Sequence, residues 1–152
     1  MQAKIWDVLH GFSERTNLPD IDVIYFDSAI TEEKAEKEVE YKLREIMPGI
    51  PWSVKNQARM HVINKLPPYC SSFEAISKFP ETATSLGVTL DDCNTVILAA
   101  PWGIEDIIHL QVKPTPLYTQ SKEKAKIYKD RIHSKKWQVI WNKIQIDDGG
   151  VD

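Results

Sequence analysis

The sequence predicts a single α+β domain, with helices packed on a mixed β-sheet. Three stretches predict it. Residues 20–27, DIDVIYFD, are β-branched and aromatic between Pro19 and Ser28, the composition of a strand. Residues 31–47 repeat apolar side chains at helical spacing. Residues 95–100, TVILAA, form a second short apolar run suited to a buried strand. A chain of 152 residues is enough for one compact domain and too short for two ordinary ones.

The elements follow in order. Ile5, Trp6 and Leu9 lie at helical spacing and Gly11 follows as a stop. A polar stretch from Ser13 to Pro19 leads to the first strand. In that strand Ile21, Val23 and Tyr25 point one way, and Asp22, Ile24 and Phe26 the other. Both faces are apolar beyond Asp22, which predicts a central strand. Thr31 is the expected N-cap of a helix with Glu32 and Glu33 in its first turn. Ala35, Val39, Leu43, Ile46 and Met47 form its apolar stripe, and Pro48-Gly49 stops it. Trp52 to Asn56 reads as a second strand, running into 57–62, which periodicity alone leaves open. Ser71 with Glu74 is a capping-box pattern for a short helix after Pro67-Pro68. Residues 80–84, PETAT, begin a turn or short helix. Ile104 to Ile108 forms a helical turn, His109 to Lys113 a strand and Ser121 to Ser134 a helix. Trp137 and Trp141, four apart, should pack on the core. The domain is expected over 1–146, with a disordered tail over 147–152 around Gly149-Gly150.

Composition removes several classes. Hydrophobic residues are 42% and charged residues 27%, the balance of a folded protein rather than a disordered one. A net charge of −3 argues against a dedicated nucleic-acid binder. Cys70 and Cys93 have no zinc or disulfide spacing and read as reduced thiols. The first residues lack a signal-peptide apolar core, and no run reaches membrane-spanning length, so the cytoplasm is the expected compartment and no membrane partner is expected.

The chemistry concentrates at Asp20 and Asp22. Residues i and i+2 of a strand project to one face, about 6.6 Å apart. Two like charges at that spacing repel unless a cation sits between them. Carboxylates so placed can hold Mg²⁺ or Mn²⁺, which neutralises a triphosphate and activates an attacking hydroxyl. Asp27 lies at the far end of the strand, facing away from Asp22, and reads as a turn residue.

Several stretches together resemble one family. They are Ile5-Trp6-Asp7 with Leu9-His10-Gly11, residues 20–27, residues 52–61 (WSVKNQARMH), residues 80–84, residues 100–106 (APWGIED), and Lys136-Trp137 with Trp141. The sequence is similar to the small bacterial nucleotidyltransferase-like family related to the head domain of CCA-adding enzymes. The likeness runs from about Ile5 to Ile146, and VKNQAR and PETAT are its most specific runs. It implies a nucleotidyltransferase-type mixed sheet and a Mg²⁺- or Mn²⁺-dependent transfer of a nucleoside monophosphate from an NTP. The acceptor stays open between a nucleic-acid end, a protein and a small molecule. On the resemblance, Asp20 and Asp22 match the catalytic, metal-binding Asp-hydrophobic-Asp of the superfamily. The superfamily also carries a Gly-Gly or Gly-Ser turn whose amides cradle the triphosphate. Counting back from Trp6, that turn would fall before Met1. Gly11-Phe12-Ser13 is too close to the strand and at the wrong end of the helix to replace it. Thr89 stands where members often carry Arg. A third carboxylate, common in the superfamily, would be sought at Lys55-Asn56. The alternative reading is a catalytically silent relative that binds a nucleotide or a protein.

Lys55, Asn56, Arg59 and His61 are the candidate nucleotide- or substrate-binding residues. If the strand continued past Asn56, Lys55, Gln57, Arg59 and His61 would share a face. Glu81, Thr82 and Thr84, and likewise Glu105 and Asp106, read as helix-start chemistry. His10, His109 and His133 have no ligand spacing. From Lys122 to Lys136 there are seven Lys or Arg against Glu123 and Asp130, read as a solvated face that could also steer an anion.

Overall fold

A computed structural model describes residues 1–150; Val151 and Asp152, the end of the expected tail, lie outside the described residues. The elements in chain order are α1 (Gln2–His10), β1 (Ile21–Tyr25), α2 (Glu33–Ile46), β2 (Trp52–Asn56), α3 (Gln57–Asn64), α4 (Ser72–Ser77), β3 (Gly87–Leu90), β4 (Val96–Ala99), α5 (Glu105–Ile108), β5 (Gln111–Val112), α6 (Lys122–Lys135), α7 (Trp137–Ile140) and β6 (Gln145–Ile146), with 3₁₀ turns at Thr82–Thr84 and Pro116–Thr119. Helices and strands are mixed, as the sequence predicts. The strands form three two-stranded sheets: β1 with β2, β3 with β4, and β5 with β6. The chain divides into two compact units, one of 17–75 and one of 1–16 with 76–152.

The unit of 17–75 is a βαβ crossover. β1 and β2 run parallel, with Asp22 opposite Ser53 and Ile24 opposite Lys55, and α2 connects them. β1 has one hydrogen-bonded neighbour, not two, so it is not the central strand its apolar faces predict. α2 begins at Glu33, with Glu32 rather than Thr31 at its N-cap. Its orientation is also rotated from the expected one, with Ala35 and Leu43 of the apolar stripe half-buried. Ile46 is 74% exposed and Val39 and Met47 are open to solvent, whereas Glu36 and Glu40 are buried. The cause is visible in β2. Alternate N–H groups of a strand point to the same edge. The Val54 and Asn56 amides, two apart, donate to Glu40 Oε2 at 3.4 Å and Glu36 Oε1 at 2.8 Å. One helix turn separates the two glutamates, and together they close an edge that would otherwise carry unpaired donors.

Residues 57–64 are helical. The Asn56 side chain caps α3 by accepting from the Ala58 amide at 3.1 Å. Strand alternation therefore stops at Asn56, and the shared face of Lys55, Gln57, Arg59 and His61 does not form. The Ser71/Glu74 capping box is present: the Glu74 amide donates to Ser71 Oγ and the Cys70 amide to Glu74 Oε2.

The other unit is built around tryptophans. Trp6 packs edge-on to Trp137 and Trp141, with ring centroids 5.4 and 5.2 Å apart. Asp7 is buried beneath them and accepts from Trp141 Nε1 at 2.8 Å and from the Thr16 amide and hydroxyl. Burial raises its pKa, but the Thr16 and Trp141 donors outweigh that and hold the carboxyl below its ordinary value. Gly11 ends α1 in the left-handed conformation, φ 74°, that a Cβ disfavours. Glu81 is fully buried and takes Arg131 Nε at 2.7 Å and Thr84 Oγ1 at 2.6 Å. Thr82 and Lys113 both reach Asp106. The PETAT run and Asp106 are thus tied to other elements rather than capping their own helices, since neither Glu81 nor the start of α5 makes a side-chain capping bond. β4 departs from expectation: Val96 is 66% exposed, with Ile97 and Leu98 also open. Of the expected tail, Asp147 is tied at both backbone groups, to the Val112 carbonyl and the Tyr128 hydroxyl.

Candidate active site

Asp20, Asp22, Lys55, Asn56, Arg59 and His61 all lie in the 17–75 unit. Asp20 immediately precedes β1 and Asp22 is its second residue; both are exposed. Among the described residues neither carboxylate accepts a hydrogen bond or joins an ion pair. Residues paired across a sheet share a face, as do residues two apart on a strand. The register therefore puts Asp22, Ile24, Ser53 and Lys55 on one face of the β1–β2 pair.

The second cluster centres on Glu36, which the sequence reading did not single out. Its carboxylate is 0% exposed. Oε1 takes Arg59 Nε at 2.6 Å and the Asn56 amide at 2.8 Å; Oε2 takes Arg59 Nη2 at 2.8 Å and lies 3.5 Å from Lys55 Nζ. The Arg59 contact is a bidentate fork, the strong form of this pair. Burial pushes the Glu36 pKa up, but the Arg59 fork, the Asn56 N–H and the nearby charges of Arg59 and Lys55 pull harder, to about 2. The same fork raises Arg59. Burial, then the negative charges of Glu36 and Asp27, raise the Tyr25 hydroxyl. Glu36 does not stand out in the sequence, because it sits among exposed acids on α2. The signal is the pairing of Glu36 with Glu40 at i, i+4, both inward once β2 offers its edge amides.

The structure separates the four candidate binding residues. Asn56 is fully buried and spent. Its Nδ2 donates to the carbonyls of Asp27 and Ile30 at 2.8 and 2.9 Å, and its Oδ1 accepts from the Asp27 and Ala58 amides. It fastens the β1–α2 loop to β2 and has no polar atom left for a nucleotide. Asp27 completes that loop by accepting from the Ala29 and Ile30 amides, the turn role expected of it. The Arg59 side chain is 21% exposed and committed to Glu36. Lys55 is the open cation, 36% exposed, with only the long contact to Glu36. His61 Nδ1 meets the Ala58 carbonyl, and its ring lies edge-on to Tyr69.

Among the described residues no group of three or more His, Cys, Asp or Glu side chains is gathered to hold a metal ion. Two free, exposed carboxylates nevertheless fit Mg²⁺, which takes one or two protein carboxylates and completes its shell from water and substrate phosphate. No helix among the described residues is long and apolar enough to cross a membrane.

No curated protein sequence matches the chain. A solution NMR structure described as a CCA-adding enzyme head domain superposes with a TM-score of 0.84 at 35% identity, covering 96% of this chain and 76% of that one. The family model described as Nucleotidyltransferase matches residues 1–146. By its match over residues 1–146 and by its fold, the chain belongs to the nucleotidyltransferase family.

Proposed function

We propose that the chain transfers a nucleoside monophosphate from an NTP to an acceptor hydroxyl, with Asp20 and Asp22 as its catalytic, metal-holding residues. The observation that carries this reading is the pair of exposed, uncommitted carboxylates at the start of β1, of which Asp22 lies on the sheet face that also bears Lys55. Asp20 and Asp22 would hold Mg²⁺ or Mn²⁺, which supplies charge neutralisation at the triphosphate and lowers the pKa of the attacking hydroxyl. Lys55 supplies a mobile cation for a phosphate oxygen. Arg59 and Asn56 support rather than touch the nucleotide: Arg59 through Glu36, Asn56 through the loop that follows β1. His61, half-buried beside Tyr69, sits in the last turn of α3. The acceptor hydroxyl attacks the α-phosphorus, and pyrophosphate leaves.

The test is incubation of the protein with each labelled NTP, Mg²⁺ or Mn²⁺ and cell extract. Label transferred to a nucleic-acid end, a protein or a small molecule, and lost with Asp22→Asn, supports transfer and identifies the acceptor class. A second reading, a catalytically silent nucleotide or protein binder, is favoured by the absence of a third acidic ligand among the described residues. It predicts no transferred label under any condition.

A further inference from the structure

Glu40 meets Lys37, Arg44 and the Val54 amide, all on α2 or its β2 edge, whereas the lysine that meets Glu36 is Lys55, which the strand register puts on the Asp22 face. The two Glu36 oxygens are used unequally. Oε1 is filled by short bonds from Arg59 and Asn56, whereas Oε2 has one short bond from Arg59 and a 3.5 Å approach from Lys55. The Arg59 fork fixes the plane and position of the carboxylate. That leaves Oε2 as a fixed negative point against which a flexible lysine rests. Lys55 carries three donors on a four-carbon stem and is the most open member of the cluster.

We infer that Glu36 is a positioning residue for Lys55: it holds the ammonium over the Asp22 face of the β1–β2 pair through one donor, so that the remaining donors meet a phosphate oxygen of a metal-bound triphosphate. The inference rests on the nucleotidyltransferase reading above and adds to it the residue that orders the phosphate contact. Arg59 does not move in this account, since its fork with Glu36 is short at both ends. Preorganising one rotamer-rich side chain removes part of the ordering cost of binding, so loss of the holding contact appears as weaker affinity acting through Lys55 alone.

A double-mutant cycle tests this, with MgATP binding followed by calorimetry on wild type, Glu36→Gln, Lys55→Met and the double variant. Glu36→Gln and Lys55→Met should each weaken MgATP roughly tenfold, and the double variant should bind no more weakly than Lys55→Met. A merely structural Glu36 would weaken binding by the same factor in both backgrounds, and that additivity overturns the inference while leaving the nucleotide reading intact. If wild type does not bind MgATP, the nucleotide reading itself fails and the inference falls with it. Should Glu36→Gln not fold, the apolar replacement Glu36→Met with Arg59→Met keeps the packing and removes the holding oxygen. It should lose roughly the same tenfold, and unchanged affinity in that variant overturns the inference.

Discussion

Replacing Arg59 by Met exposes what the buried ion pair contributes. Glu36 is 0% exposed and would lose two charge-assisted bonds, keeping only the Asn56 amide and the distant Lys55. Removing one partner of a buried pair costs about 3–5 kcal/mol, because the remaining charge has no solvent to replace it. The penalty has a ceiling: once it exceeds the cost of protonation, Glu36 takes up a proton and its pKa rises from about 2 toward or beyond its ordinary 4.5. Replacing both residues, Glu36→Met with Arg59→Met, removes the charges together and should recover most of the loss, to within about 1–2 kcal/mol of wild type. The Asn56 amide then loses its acceptor, which is why recovery is incomplete. The assay is urea denaturation at pH 7, followed at amides of residues 21–25 and 52–64. A single-variant loss below about 1 kcal/mol, or a double variant as unstable as the single, would refute the reasoning.

Other outcomes follow from the same bonds. Because the folded pKa of Glu36 lies below its unfolded value, its contribution is fully present above pH 4.5 and is lost as pH falls toward 2; the span is worth about 3 kcal/mol, and acid titration of unfolding stability should flatten by that amount in Glu36→Gln. Asn56→Asp sets a carboxylate oxygen against the Asp27 and Ile30 carbonyls, so it should cost about 2 kcal/mol or more and broaden the amides of 27–30 in an NMR spectrum. Asp7→Ala strands the Trp141 indole and the Thr16 amide and hydroxyl; thermal unfolding should show a loss of about 2–3 kcal/mol. Asp22→Asn touches no partner, so its unfolding free energy from urea denaturation should stay within about 0.5 kcal/mol of wild type.

What the sequence conveyed and withheld divides along physical lines. Local chemistry was legible. The Gly11 stop, the Ser71/Glu74 box and the turn role of Asp27 depend on residues a few positions apart, and each stands where local rules put it. The Trp137 and Trp141 pair was legible because four-residue spacing survives into packing; their partner Trp6 is distant in sequence. Asp20 and Asp22 stand out in the sequence by their i, i+2 spacing together with the family resemblance; in the structure Asp22 lies in β1 and Asp20 just before it. Glu36 was hidden because its partners lie on β2 and α3, beyond any helical periodicity. The same tertiary demand rotated α2, leaving Ile46 and Met47 outside. Periodicity leaves α3 open because Asn56 reads as a strand end until its side chain is seen capping Ala58. The exposure of β4 has no signal in its own apolar run.

The account's central claim is that Asp20 and Asp22 bind a metal-nucleotide complex. Amide NMR during titration with MgATP tests it most directly. The account predicts saturable shifts at residues 20–25 and at Lys55, dependent on Mg²⁺ and abolished by Asp20→Asn or Asp22→Asn. Shifts absent from those residues, or unchanged in both variants, would contradict it.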